Sequence, residues 1–182
     1  MTYQSDAERE LLASARRGDN GAYEDLVRMY QRQIYTFLYR LSRNVEDAME
    51  LTQSTFVKAW ISLDRFRGDS SFKTYLYRIA ANAWRNTVRD RIRHKSVDLD
   101  NVTLVSNQDP LRELEKSREH DQLWASVDRL PPRQKEVLVL RIREGFSFEE
   151  TARIMGCTTG SAKASYHHAI SKIKDAIKEN GQ

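Results

Sequence analysis

Apolar residues recur at helical spacing along almost the whole chain, and little interrupts them. Ile34, Phe37, Leu38 and Leu41 stand at i, i+3, i+4 and i+7. Phe56, Ala59, Trp60 and Leu63 repeat the pattern. So do Leu76, Ile79, Ala80 and Ala83, with the stripe running on through Val88 to Ile92. That period lines one face of a helix and gives a half-buried strand nothing consistent to bury. Only 7 Gly and 3 Pro punctuate 182 residues, too few for a strand-and-turn protein. The fold class expected is all-α.

Interruptions near Gly18–Gly21, Ser42–Asn44 and Arg67–Ser71 divide residues 5–94 into about four helices. Residues 95–109 lose the period and collect short polar side chains, which reads as a flexible linker. Val102–Val105 could alternatively form a short strand. Pro110 suits a helix start, and the period resumes at Leu111, Leu114 and Trp124. Leu130, Pro131 and Pro132 end that helix, and Pro132 can open the next. Val137, Leu138, Leu140 and Ile142 would supply its buried side, with Gly145 closing it. The organisation expected is a domain over 1–94, a linker over 95–109 and a second domain over 110–182.

Charge is distributed in blocks. Residues 61–95 hold nine Lys/Arg against three Asp/Glu, residues 96–130 four against eight, and residues 131–182 nine against six. Two basic blocks flanking an acidic one fit a polyanion-binding protein, although solvated helix faces produce the same count. Cys157 is the only cysteine, so no intrachain disulfide can form and a reducing compartment fits. Met1–Glu10 has no apolar run, and no stretch approaches the ~18 residues of a membrane span. A cytoplasmic protein without membrane insertion is expected.

Two segments carry candidate chemistry. Residues 148–167 have helix-turn-helix spacing: Ala152 is small where helices cross, Gly156 supplies a positive φ, and Ala162 packs back on Ala152. Thr158 or Thr159 can cap the second helix. Its outward face would carry Lys163, Ala164, His167, His168 and Ser171, and a major groove would admit it. Lys163 and Lys172 are candidates for phosphate, Ser165 and His168 for base edges. An αα-corner packing only protein has the same spacing. His167 and His168 point about 100° apart on a helix, so metal binding is not expected.

The second segment is residues 72–93. Arg78, Arg85 and Arg89 form a basic stripe, with Asn82 and Asn86 along it and Tyr75, Tyr77 and Trp84 interleaved. Cations beside aromatic platforms suit a single strand, and the Gly-containing loop Phe66–Phe72 could receive an extruded base. The same rings at the same spacing would also fill a core. Acidic residues are scattered, with no metal cluster or nucleophile–base pair, so no catalytic residue, metal or cofactor is expected.

Taken in order, four segments resemble the extracytoplasmic-function sigma factors, the smallest class of bacterial sigma factors. They are GDNGAYEDLVRMY (18–30), ELTQSTFVKAW (50–60), RFRGDSSFKTYLYRIAANAWRN (65–86) and LPPRQKEVLVLRIREGFSFEETARIMGCTTGSAKASYHHA (130–169). The resemblance implies a non-enzymatic initiation factor that binds core RNA polymerase, directs it to specific promoters and helps melt them. It implies that Glu50, Leu51, Gln53 and Phe56 dock on the β′ clamp helices. Arg67, Ser70, Ser71, Asn82, Arg85, Asn86 and Arg89 would contact the minus-ten element. Lys163, Ser165, His167, His168 and Lys172 would contact the minus-thirty-five element. It further implies that the C-terminal domain binds the β-flap, that the acidic linker threads towards the RNA exit path, and that an anti-sigma protein masks the polymerase-binding faces.

The chain departs from the family pattern at a few positions. Glu50 stands where Asp is usual, Ser54 where Glu is, Asn86 where Asp is, and Ser165 and His168 where Arg is. A helix-turn-helix regulator acting without polymerase would explain residues 130–182 but give 50–60 and 65–89 no role, and a nuclease would need a site that is missing.

Overall fold

The computed structural model describes residues 6–95 and 124–180. The expected linker over 95–109, the Val102–Val105 tract and the helix start at Pro110 lie outside the described residues or at their edge. Among the described residues every regular element is helical: α1 (Asp6–Arg16), α2 (Asn20–Ser42), α3 (Val45–Ile61), a 3-10 turn (Leu63–Arg65) and α4 (Phe72–Lys95). Residues 124–128 (α5) come next, then α6 (Pro132–Leu138), a π-helical turn (Val139–Arg143), α7 (Phe148–Met155) and α8 (Thr159–Asn180). The chain divides into two compact units, Met1–Trp84 and Arg85–Gln182. That division falls inside α4.

In the first unit α2 packs against both α1 and α3. Its start is capped by Asp19, whose carboxylate accepts from the Ala22 N–H at 3.1 Å. It ends at Arg43, a non-glycine residue with φ of 54°, whose N–H donates to the Tyr39 carbonyl. Asn44 then caps α3 through the Asp47 N–H. The core runs through Leu26, Ile34, Phe37, Leu38, Ala48, Ala59, Leu76 and Tyr77. Phe66, Phe72 and Tyr75 form an aromatic cluster. The Tyr75 hydroxyl lies 2.6 Å from Ser62 Oγ and donates to the Ser62 carbonyl, which fixes the segment after α3 to α4.

The second unit is built around Val127, Leu130, Leu138, Ala169 and Ile173, with Trp124, Tyr166 and Ile170 against them. Pro132 sits at the first turn of α6, where its missing N–H costs nothing. The α-helix does not continue to Gly145 as its apolar period suggests. It widens after Leu138 into the π turn, where the Glu144 N–H reaches the Val139 carbonyl. Ile142, expected on the buried side, is exposed there. A π turn inserts one residue into the helical count and so rotates the downstream backbone.

Candidate nucleic-acid interface

Residues at the start of α4 set the geometry of its loop. Gly68 has φ of 78°, and Ser71 caps the helix, accepting from the Thr74 N–H at 3.1 Å while its hydroxyl meets that of Thr74. Arg67 is exposed, and Ser70 and Ser71 are half-buried. Along α4, Arg78, Asn82, Asn86, Arg89 and Arg93 are exposed at steps of three or four residues, which makes them one face. Arg89 donates to Asn86 Oδ1 at 2.8 Å. Tyr75, Tyr77 and Trp84 are all buried. The expectation that they might offer stacking platforms is corrected: Tyr77 packs on Phe37 and Tyr75 on Phe66, where burial of a large ring is most favourable.

On α3 the site residues divide. Glu50 and Gln53 are exposed, whereas Leu51 and Phe56 are buried. Those two side chains pack inward and support the helix from within. The outer face carries a row missed by the sequence reading: Met49, Val57 and Ile61, 53, 58 and 74% exposed. With Gln53 they repeat every four residues, so they line one side of the helix. Their periodicity alone looks like a core stripe, which is why it gave no signal.

In the second unit, Ser147 and Glu150 form a capping box at the start of α7, which satisfies two otherwise orphaned N–H groups. Gly156 adopts φ of 64°, and the Cys157 N–H closes back on the Ala152 carbonyl. Thr158 caps α8 through the Ser161 N–H at 3.1 Å, and Arg133 donates to Ser161 Oγ. Ala162, Ala169 and Ile173 are buried. Lys163, Ala164, His167, His168, Ser171 and Lys172 are exposed, and Ser165 is half-buried. Below this face Phe148 takes the Tyr166 ring edge-on and the Arg141 guanidinium 4.3 Å from its centroid. Arg143 stacks at 4.5 Å over Trp124.

Arg85, a candidate DNA-contact residue, has a defined partner in this unit. Its Nη1 donates to Glu136 Oε1 at 2.6 Å and its Nη2 to the Ile154 carbonyl at 3.5 Å. Glu136 is 1% exposed. Burial pushes its carboxyl up to about 7, against the opposing pull of Arg85 and Arg133. A spacing-based reading cannot find this pair, because 51 residues separate its members.

Among the described residues no group of three or more His, Cys, Asp or Glu could hold a metal ion, and no helix is long and apolar enough to cross a membrane.

Residues 12–94 match the family described as Sigma-70 region 2, and residues 120–173 match Sigma-70, region 4. RNA polymerase sigma-H factor of Pseudomonas aeruginosa is 30% identical, with 97% of this chain and 96% of that protein covered. ECF RNA polymerase sigma-E factor of Haemophilus influenzae is 32% identical, covering 92% and 93%. Among solved structures, the sigma factor RpoE of Bartonella quintana, in complex with the anti-sigma factor NepR, superposes with a TM-score of 0.72. It is 25% identical over 86% of this chain and 96% of that one.

Proposed function

The chain belongs to the sigma-70 family, as an extracytoplasmic-function sigma factor serving promoter-specific transcription initiation, and we propose that its exposed faces divide that work between polymerase and DNA. The α3 face with Glu50, Gln53, Met49, Val57 and Ile61 docks on the β′ clamp helices. The α4 face with Asn82, Asn86 and Arg89, together with Arg85 and the Arg67–Ser71 loop, takes the unpaired minus-ten strand. The α8 face with Lys163, Ser165, His167, His168 and Lys172 takes the minus-thirty-five duplex, while its domain meets the β-flap.

The protein works by binding alone. Holding bases out of the stack offsets the few kcal/mol per base that flipping costs, and this is how it helps melting. Neither DNA contact need be tight, because polymerase mounts both and raises their effective concentration. An anti-sigma protein covering the α3 row would keep the chain from polymerase, and the complexed state of a similar sigma factor supports such a partner.

The observation that carries this reading is the apolar row on α3. A duplex-binding regulator acting alone has no use for three large exposed apolar side chains on a helix outside its helix-turn-helix. In vitro transcription with core polymerase over a library of genomic promoters tests it. Discrete start sites are expected, and failure to initiate from any promoter overturns it.

A further inference from the structure

Glu136 is the clearest buried ionisable group that the proposed function leaves unused. An ionised carboxylate with 1% exposure is expensive to maintain, and a well-packed apolar residue of similar volume is often at least as stabilising as a buried ion pair. Stability is therefore a poor reason for its presence. Its partner is informative: Arg85 is the half-exposed member of the pair, its side chain 31% exposed, one position before Asn86 and four before Arg89 on α4. A single carboxylate thus reaches from the core of the second unit to a cation neighbouring the α4 face. The second arm of the guanidinium meets the Ile154 carbonyl in the last turn of α7, where the helix dipole favours a cation. The Glu136 carboxylate and the Ile154 carbonyl thus both accept from Arg85.

We propose that Glu136 is a positioning residue that withholds Arg85 from DNA, its carboxylate occupying the guanidinium as a phosphate or base edge otherwise would, so that this conformation binds the minus-ten strand with one cation fewer than the α4 sequence offers. This rests on the reading of Arg85 as a promoter-contact residue. Guanidinium groups bind carboxylate and phosphate with the same planar fork, so the two acceptors exclude each other. Release of Arg85 is then a condition for full engagement of the strand.

The test uses the full free chain and a short labelled single-stranded DNA, with Glu136→Gln, which keeps shape and an acceptor while removing the charge. Affinity is expected to rise about fivefold, with the salt dependence steeper by about 0.7 in log–log slope, as for one added phosphate contact. The gain should vanish in Arg85→Ala/Glu136→Gln. No gain, or a gain that survives in the double variant, overturns the proposal.

A second measurement reads the restraint without DNA. The Arg85 Nη resonances, separate while the guanidinium is held, should merge in Glu136→Gln. They should also merge in the unsubstituted chain as pH falls through about 7, where Glu136, faced by Arg85 from α4 and Arg133 from α6, takes up its proton. Resonances that stay separate in both overturn the restraint and leave the proposed function intact. Resonances that merge while DNA affinity stays unchanged overturn the assignment of Arg85 to DNA, and this inference with it.

Discussion

The hydroxyl of Tyr30 donates to Glu8 Oε1 at 2.8 Å, and both residues are buried although 22 positions separate them. The bond joins α1 to α2. Burial, reinforced by the Glu8 hydrogen bond, holds the phenol protonated well above its ordinary range. Tyr30 also meets Phe72 edge-on at 5.8 Å. Tyr30→Phe keeps that ring contact and removes one donor from the buried Glu8 carboxylate, so it should cost about 1–3 kcal/mol. Urea midpoints of the two proteins measure it, and a loss below a few tenths of a kcal/mol would show that the bond holds nothing together.

The two sides of α3 should respond oppositely to substitution. Replacing exposed Val57 and Ile61 by Ser should leave stability within about 0.5 kcal/mol and weaken binding to core polymerase about tenfold or more, given about 1.5–3 kcal/mol for each apolar side chain buried in an interface. Leu51→Ala, on the inward side, should instead cost about 2–5 kcal/mol of stability. Thermal melts paired with polymerase pull-down titrations separate the two. A reversal of the pattern would mean that the outward row is not the docking face.

Glu136 predicts a pH dependence of known sign. Its carboxyl is raised from 4.5 to about 7 in the folded chain, so between those values the folded state binds more protons than the unfolded one. Stability then falls as pH rises across that window, by on the order of 3 kcal/mol in all. Glu136→Gln removes this component. Denaturant midpoints from pH 5 to 8 for both proteins give it as a difference, in which other titrating groups cancel, and parallel profiles would refute it.

Backbone conformation separates Arg43 from Gly156. Both have positive φ, 54° and 64°, but only one is glycine. Arg43→Gly should stabilise by up to about 1 kcal/mol through relief of the left-handed penalty, less whatever its side chain contributes. At Gly156 nothing lies within 4 Å of an added Cβ. Gly156→Ala should therefore cost about 1 kcal/mol from the backbone alone, without distorting α8. Melting curves check both.

Much of the second unit was legible because local rules dictate it. Gly156 before Cys157, the small buried Ala152 and Ala162 on the packed helices α7 and α8, and Pro132 at a helix start each answer a geometric need that few residue types meet. The exposed row on α3 was not legible, because a periodic apolar stripe is the same string of letters whether it faces a core or a partner. Tyr75, Tyr77 and Trp84 failed for the mirror-image reason: rings that could stack on bases were needed inside. The Arg85–Glu136 pair was invisible because pairing over a long sequence separation leaves no local mark.

The Ser147–Glu150 capping box also has a readable signature, a serine with a glutamate three positions later. Ser147→Ala should cost about 0.5–2 kcal/mol and lower duplex affinity only as far as it frays α7. An affinity loss with an unchanged melt would instead make Ser147 a DNA contact.

The five residues Val139–Arg143 act as a clocking device. One residue of slip on an α-helix is about 100° of rotation, so the turn sets the angle at which Arg141 and Arg143 leave the backbone. Each now faces an aromatic ring, Phe148 and Trp124. Deleting one residue from the turn would restore regular hydrogen bonding, yet it would swing both cations off their rings and misalign α7 and α8 behind them. Better local helix geometry would come with a worse-assembled domain.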